Sequence, residues 1–325
     1  MEIDVKTQSI EVKTQSIEVK TQSERERRLS ERERRLSERE RRLSERERRL
    51  SERERRLSEL DLNLMDDLIS ACKNNDIEAV KVALGKGATL NINYVDENGY
   101  TSLTYAASNN TQEIVKLLLT NGANINHPNK YGSTALLCAA HDNNLEILKL
   151  LLINVADINY PNTHGDTPLI WAVNNNNPDI VKLLLSSGAN INHMNLYGNT
   201  ALTWAANKNN VETVKLLLEN GANINHANQN GNTALLYAVD TNNPEIVKLL
   251  LKNGANINHA NQNNKTALTL AIEEEFENIK NIITLYIVLR VKRSFTSNRR
   301  SRDQLTISYL QVIPRDIIYV IESFL

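Results

Sequence analysis

The sequence predicts an all-α solenoid of about seven helix-turn-helix units with β-turn tips, preceded by a long charged helix or coiled coil. Three observations carry this. Between Asp96 and Arg293 one phrase recurs six times at a spacing of 33 residues. Its parts keep a fixed order: Asn-x-x-Gly-x-Thr-Ala-Leu, then Glu-Ile-Val-Lys-Leu-Leu-Leu, then Gly-Ala-Asn-Ile-Asn-His. Ahead of it, residues 24–58 repeat Glu-Arg-Glu-Arg-Arg-Leu-Ser five times. A period of this length means units that bury a continuous core only against their neighbours, which moves the functional question from an enclosed site to surfaces.

The N-terminal 1–23 segment is a low-complexity repeat of Ile-Glu-Val-Lys-Thr-Gln-Ser. In the 24–58 block, Glu24 to Arg28, Glu31 to Arg35 and their later copies pair at i,i+4, each worth about 0.2–0.5 kcal/mol to an exposed helix. Leu29, Leu36, Leu43, Leu50 and Leu57 supply one apolar residue per heptad, half of a coiled-coil seam. A charged helical rod is one reading and a weak coiled coil is another. Near-perfect copies also arise by expansion of a tract with no selected role. Ten Glu interleave with the Arg and no aromatic is present to stack on bases, so no nucleic-acid partner is expected.

Each unit opens on a turn: Asp96 to Gly99, Asn129 to Gly132, Asn162 to Gly165, Asn195 to Gly198 and Asn228 to Gly231. Asx at the first place and Gly at the fourth suit a type I turn whose Asx side chain bonds the backbone ahead of it. Thr101, Thr134, Thr167, Thr200 and Thr233 then stand as N-caps of a short Ala-rich helix. Asn110, Asn143, Asn176, Asn209 and Asn242 suit its left-handed close. The second helix starts at once, with Pro178 and Pro244 at the first helical place. Its apolar residues, Ile114, Val115, Leu117, Leu118 and Leu119 in one copy, form a broad buried stripe, and Gly122, Gly188, Gly221 and Gly254 stop it.

These residues resemble the ankyrin repeat, whose signature includes Asp/Asn-x-x-Gly-x-Thr-Pro-Leu-His and Gly-Ala-Asp-Val-Asn; Thr167-Pro168-Leu169-Ile170 and Gly188-Ala189-Asn190-Ile191-Asn192 carry the likeness. The reading divides the chain into a capping repeat at 59–95, five repeats over 96–260, a capping repeat at 261–293, and a basic linker with an amphipathic helix at 294–325. Thr104, Leu137, Ile170, Thr203 and Leu236 replace the family's His, so its bonds to neighbouring turns are absent or made otherwise. Val155 stands where other copies have Gly; a left-handed conformation there costs roughly 1–2 kcal/mol and marks the third unit as the weakest.

The resemblance implies a non-catalytic scaffold that binds a protein on the concave surface of turn tips and first helices. Carried over position by position, the partner-binding residues are Glu97, Asn98 and Tyr100; Lys130, Tyr131 and Ser133; Thr163, His164 and Asp166; Leu196, Tyr197 and Asn199; and Gln229, Asn230 and Asn232. A second column, Tyr105, Cys138, Trp171, Trp204, Tyr237 and Leu270, reads as bulky core material, a ligand-stacking groove being the alternative.

His127, His193, His226 and His259 recur in register, but stacked helices lie about 8–10 Å apart, too far for one ion with ligands near 2 Å, so no metal site is expected. No phosphate loop, paired-Cys box or nucleophile motif is present, and neither an enzyme nor a cofactor is expected. Glu273, Glu274 and Glu275 read as a solvated edge.

The tail ends Ile313-Pro314-Arg315-Asp316-Ile317, with Ile321 and Phe324 continuing an apolar stripe. It resembles the opening helix of F-box elements, including the truncated boxes that end many poxvirus ankyrin proteins. That implies docking of Ile313, Pro314, Asp316, Ile317, Ile321 and Phe324 on a Skp1-type ubiquitin-ligase adaptor. Ile313 and Asp316 depart from the Leu and Glu of that pattern, and a tail helix folded on the last repeat is the alternative.

The net charge of −1 hides segregated blocks: +5 over residues 24–58, −9 over 59–289 and +4 from 290 onward. Two cysteines, Cys72 and Cys138, each inside an expected helix, read as small buried hydrophobes in a reducing compartment. No run approaches the roughly 20 apolar residues of a membrane span, and no signal peptide is visible. A cytoplasmic or intracellular protein is expected. Its Asn, Ile and Lys richness suits an AT-biased genome and a protein delivered into a host cell.

Overall fold

The computed structural model describes residues 2–87 and 91–297. Two units are distinguished, 1–63 and 64–325. The first consists of helix α1, Glu2–Lys73, whose last turns belong to the second unit. Both N-terminal repeat blocks therefore lie in one uninterrupted helix, with no break where the repeated sequence changes at residue 24. Lacking Gly and Pro from end to end, the segment offers the helix no place to stop. The expected ion pairing is realised at Glu45 and Arg49, 2.7 Å apart.

In the second unit α2, Ile77–Gly85, is followed by paired helices of seven and nine residues: α3, Ser102–Ser108, with α4, Gln112–Thr120; α5, Ala135–His141, with α6, Leu145–Ile153; α7, Pro168–Asn174, with α8, Pro178–Ser186; α9, Ala201–Asn207, with α10, Val211–Glu219; and α11, Ala234–Asp240, with α12, Pro244–Lys252. The last pair is α13, Ala267–Glu273, with α14, Glu277–Ser297. Without a glycine stop, α14 runs to 21 residues where its counterparts have nine. Each first helix packs on the first helices of adjacent units, and each second helix likewise. Met65, Leu68 and Cys72 of α1 open a single core cluster that continues through every pair to Val288. In the second helices Ile114, Val115 and Leu118 are buried, whereas Leu117 and Leu119 are half-buried, so the stripe is narrower than the sequence suggested.

Local signals act as expected with one exception. Thr101, Thr134, Thr200 and Thr233 accept the N–H three residues on at 3.2–3.4 Å. Thr167, ahead of Pro168, makes no such bond, and its hydroxyl is buried without a partner. Asn110, Asn143, Asn176, Asn209 and Asn242 all adopt positive φ, as do Gly122, Gly188, Gly221 and Gly254. Val155 does too, at φ +67°, so the strain expected in the third unit is present. Cys72 and Cys138 are free and buried, and burial pushes each thiol up to about 12.

Candidate functional site

The tips are built by their Asx residues. Asn129 accepts the N–H groups of Tyr131 and Ser133 on its side-chain oxygen, both at 2.9 Å, and its backbone carbonyl accepts that of Gly132. The same set recurs at Asp96, Asn162, Asn195, Asn228 and Asn261. Adjacent tips are then stitched together. The second residue of each donates its N–H to the third residue's carbonyl in the tip before: Lys130 to Asn98, Thr163 to Tyr131, Leu196 to His164, Gln229 to Tyr197 and Gln262 to Asn230, at 2.9–3.2 Å.

This ladder explains the fourth residue. A Cβ on Gly132 would lie 2.7 Å from the Thr163 nitrogen, so glycine serves both the positive φ and the close approach. In the tip opened by Asn261 that place is held by Asn264 at φ +58°; among the described residues no further tip stacks on it, and only the conformation remains to be satisfied.

Two more ladders use residues the repeat keeps constant. Asn126, Asn159, Asn192 and Asn225 accept on Oδ1 the N–H of Asp157, Asn190, Asn223 and Asn256 in the next copy, at 2.7–2.8 Å. His193, His226 and His259 bring Nε2 to 2.8–2.9 Å of the carbonyls of Gly165, Gly198 and Gly231 in the preceding tip. Three of the four recurring imidazoles thus bond a neighbouring turn, whereas the Nδ1 of His127 is buried without a partner.

Against this frame the fifteen tip candidates separate. Glu97, Asn98, Lys130, Tyr131, Thr163, His164, Leu196, Tyr197, Gln229 and Asn230, the two middle residues of each turn, are all exposed and form one row along the stack. Tyr131, Leu196 and Tyr197 present large apolar surface at 55, 63 and 56 % exposure. Tyr100, Ser133, Asp166, Asn199 and Asn232, at the fifth place, are half-buried. Three of these hold the stack: Asp166, Asn199 and Asn232 accept from the Nδ2 of Asn195, Asn228 and Asn261 at 2.8–2.9 Å. Tyr100 offers no such acceptor; its ring stacks on Tyr105, with centroids 5.2 Å apart, and the Nδ2 of Asn129 is left buried without a partner.

The aromatic column is not core throughout. Cys138 is buried, but Tyr105, Trp171, Trp204, Tyr237 and Leu270 are half-buried. Tyr105 donates its hydroxyl to Asp96 at 2.6 Å, and Tyr237 accepts from Asn228 at 2.8 Å. Burial alone would raise the Asp96 carboxyl, but bonds from the Tyr105 hydroxyl and the Tyr100 and Asn98 N–H groups, with Lys73 nearby, hold it below the usual value. Burial and the Asp96 bond push the Tyr105 hydroxyl upward. Side chains at the ends of first helices lean on this column: Lys208 over Trp204 at 5.7 Å, and His141 edge-on to Trp171 at 4.7 Å. Neither His141 nor Lys208 stood out in sequence; His141 is the last residue of α5, and Lys208, one place further on in the repeat, caps α9. Ile313, Pro314, Asp316, Ile317, Ile321 and Phe324 lie outside the described residues.

Among the described residues no cluster of three or more potential metal ligands occurs, and no helix is long and apolar enough to cross a membrane. No curated protein matches the sequence. A family model described as ankyrin repeats (3 copies) matches residues 68–162, 139–228, 169–261 and 224–288. Among solved structures, the human ASB11 ankyrin repeat domain is similar at 30 % identity and a TM-score of 0.60, over 67 % of this chain and 96 % of that one. An ankyrin repeat domain from Acinetobacter baumannii AYE is similar at 35 % identity and a TM-score of 0.54, over 57 % of this chain and 96 % of that one. Ankyrin repeats generally mediate protein–protein interaction and are typically non-catalytic scaffolds. With the stacked helix pairs and stitched tips, these matches identify the fold and its lineage together: the chain belongs to the ankyrin repeat family.

Proposed function

We propose that this protein is a non-catalytic scaffold that binds a protein partner on its concave ankyrin surface, through the row of tip residues and the half-buried column beside it. The observation that carries the reading is the division of labour within each turn. The first and fourth places, and the fifth in three of the five turns, are used in folding and stacking, while the two middle places are exposed and variable and include Tyr131, Leu196 and Tyr197. Tyr and Trp are the residue types on which interfaces depend most. The test is capture from a eukaryotic lysate by the full chain and by a Tyr131→Ala, Leu196→Ala, Tyr197→Ala variant of equal melting temperature. Proteins retained equally by both would refute it.

The adaptor reading rests on the sequence pattern of residues 313–325 alone. Under it, Skp1 co-purifies with the full chain and is lost on Ile317→Asp; absence of Skp1 removes it. Two reduced, buried thiols suit action inside a cell, and the composition suits delivery into a host. We also read the exposed Leu line of α1 as a coiled-coil seam.

A further inference from the structure

Leu29, Leu36, Leu43, Leu50 and Leu57 of α1 are 49–56 % exposed. At about 100° and 1.5 Å per residue they form one slowly drifting apolar line about 42 Å long. Its two flanks differ in sign. The Arg three places after each of the first four Leu (Arg32, Arg39, Arg46, Arg53) lies about 60° to one side, and the Glu four places after (Glu33, Glu40, Glu47, Glu54) about 40° to the other. All eight are exposed. The intrahelical Glu45 to Arg49 pair draws on neither of these rows.

Flank asymmetry dictates who can sit on the line. Two copies related by an axis parallel to the helix bring the Glu row of each against the Arg row of the other. With the axis perpendicular, the helices run antiparallel, and Glu faces Glu while Arg faces Arg. Opposite charges beside an apolar seam select partner and orientation; like charges oppose it.

We infer that α1 pairs with α1 of a second copy of this chain as a parallel, in-register coiled coil centred on this Leu line. The inference rests on the coiled-coil reading above and adds occupant, direction and register. Both chains then leave the coiled coil at the same end, so one assembly carries two tip rows, the condition for avidity without any new contact.

The test uses the full chain. Sedimentation equilibrium over a broad concentration range is expected to approach twice 36.8 kDa. Leu36→Ala with Leu43→Ala returns the mass to a single chain with helix content unchanged by circular dichroism, since Ala keeps the helix and removes the seam. Replacing Arg32, Arg39, Arg46 and Arg53 by Glu, or Glu33, Glu40, Glu47 and Glu54 by Arg, abolishes self-association in each variant alone, and an equal mixture of the two restores it. On oxidation, Leu29→Cys cross-links to itself, and a mixture of Leu29→Cys with Leu57→Cys gives no cross-linked heterodimer. A single-chain mass at every concentration overturns both the coiled-coil reading and this inference. A dimer that cross-links position 29 to position 57 leaves the coiled coil standing and overturns the parallel arrangement.

Discussion

Val155→Gly should stabilise the third repeat. Val155 holds φ +67° where the glycines of four other copies hold +84° to +92°. A Cβ on Gly122, Gly188, Gly221 or Gly254 would meet nothing within 4 Å, so crowding is not the cost there. What remains is the left-handed strain of an L-residue, about 1–2 kcal/mol. Glycine's greater freedom in the unfolded chain takes back about 0.5–1 kcal/mol. With Val155 83 % exposed, its lost burial costs only about 0.3–0.5 kcal/mol. The net gain is about 0.5 kcal/mol, a rise of about 1–2 °C in a domain of this size. Val155→Asn should gain as much, because Asn tolerates the conformation without glycine's entropy. A repeat array does not have to melt as one unit, so the sharper assay is native-state hydrogen exchange at the amides of α6 and α7, where local opening should become rarer. If both substitutions made opening in α6 and α7 more frequent, the assignment of strain to Val155 would be wrong.

Thr101→Val removes a working N-cap and should cost about 0.5–2 kcal/mol, whereas Thr167→Val deletes a buried hydroxyl that bonds nothing and should be neutral or stabilising; denaturant melts of the pair decide this. Asp96 gives the stack an acid limit. Its folded value is depressed, so its contribution is fully present above the ordinary carboxylate range and is lost as pH falls through the lowered value. Melting temperatures of the native chain should therefore decline below about pH 4, with a shallower decline for Asp96→Asn, since Asn fills this place in the other tips. An unchanged acid limb would remove Asp96 as its cause.

Sequence made the repeat frame legible because its signals are local. A Thr three residues from an N–H, an Asx four residues from its turn, and a Gly after a helix each act within a few positions, and even the strained Val155 stood out by its place in the register. What it hid lies between copies. Nothing in one unit says that Asp166 accepts from Asn195, 29 residues on, or that His193 reaches back 28 residues to Gly165. Asp166, Asn199 and Asn232 therefore looked as free as the exposed tip residues beside them. How deeply the aromatic column is buried was hidden for a related reason. Residue type gives the size of Trp171 and Trp204 but not whether a neighbouring unit covers the whole ring. The 24–58 block gave a helix but neither its start nor its stop: α1 also takes in the 1–23 segment, read from sequence only as a low-complexity repeat, and runs on to Lys73.

The division of labour within the turns is the central claim, and neighbours in one tip test it most directly. Asn195 is buried and holds three bonds, to Tyr197, Asn199 and Asp166; Leu196, next to it, is largely exposed. Chemical denaturation of the two alanine variants should show Asn195→Ala losing about 2–4 kcal/mol, from bonds worth about 0.5–1.5 kcal/mol each plus groups left unpaired, and Leu196→Ala staying within about 0.5 kcal/mol of the native chain. Equal losses in the two, or a harmless Asn195→Ala, would contradict the account.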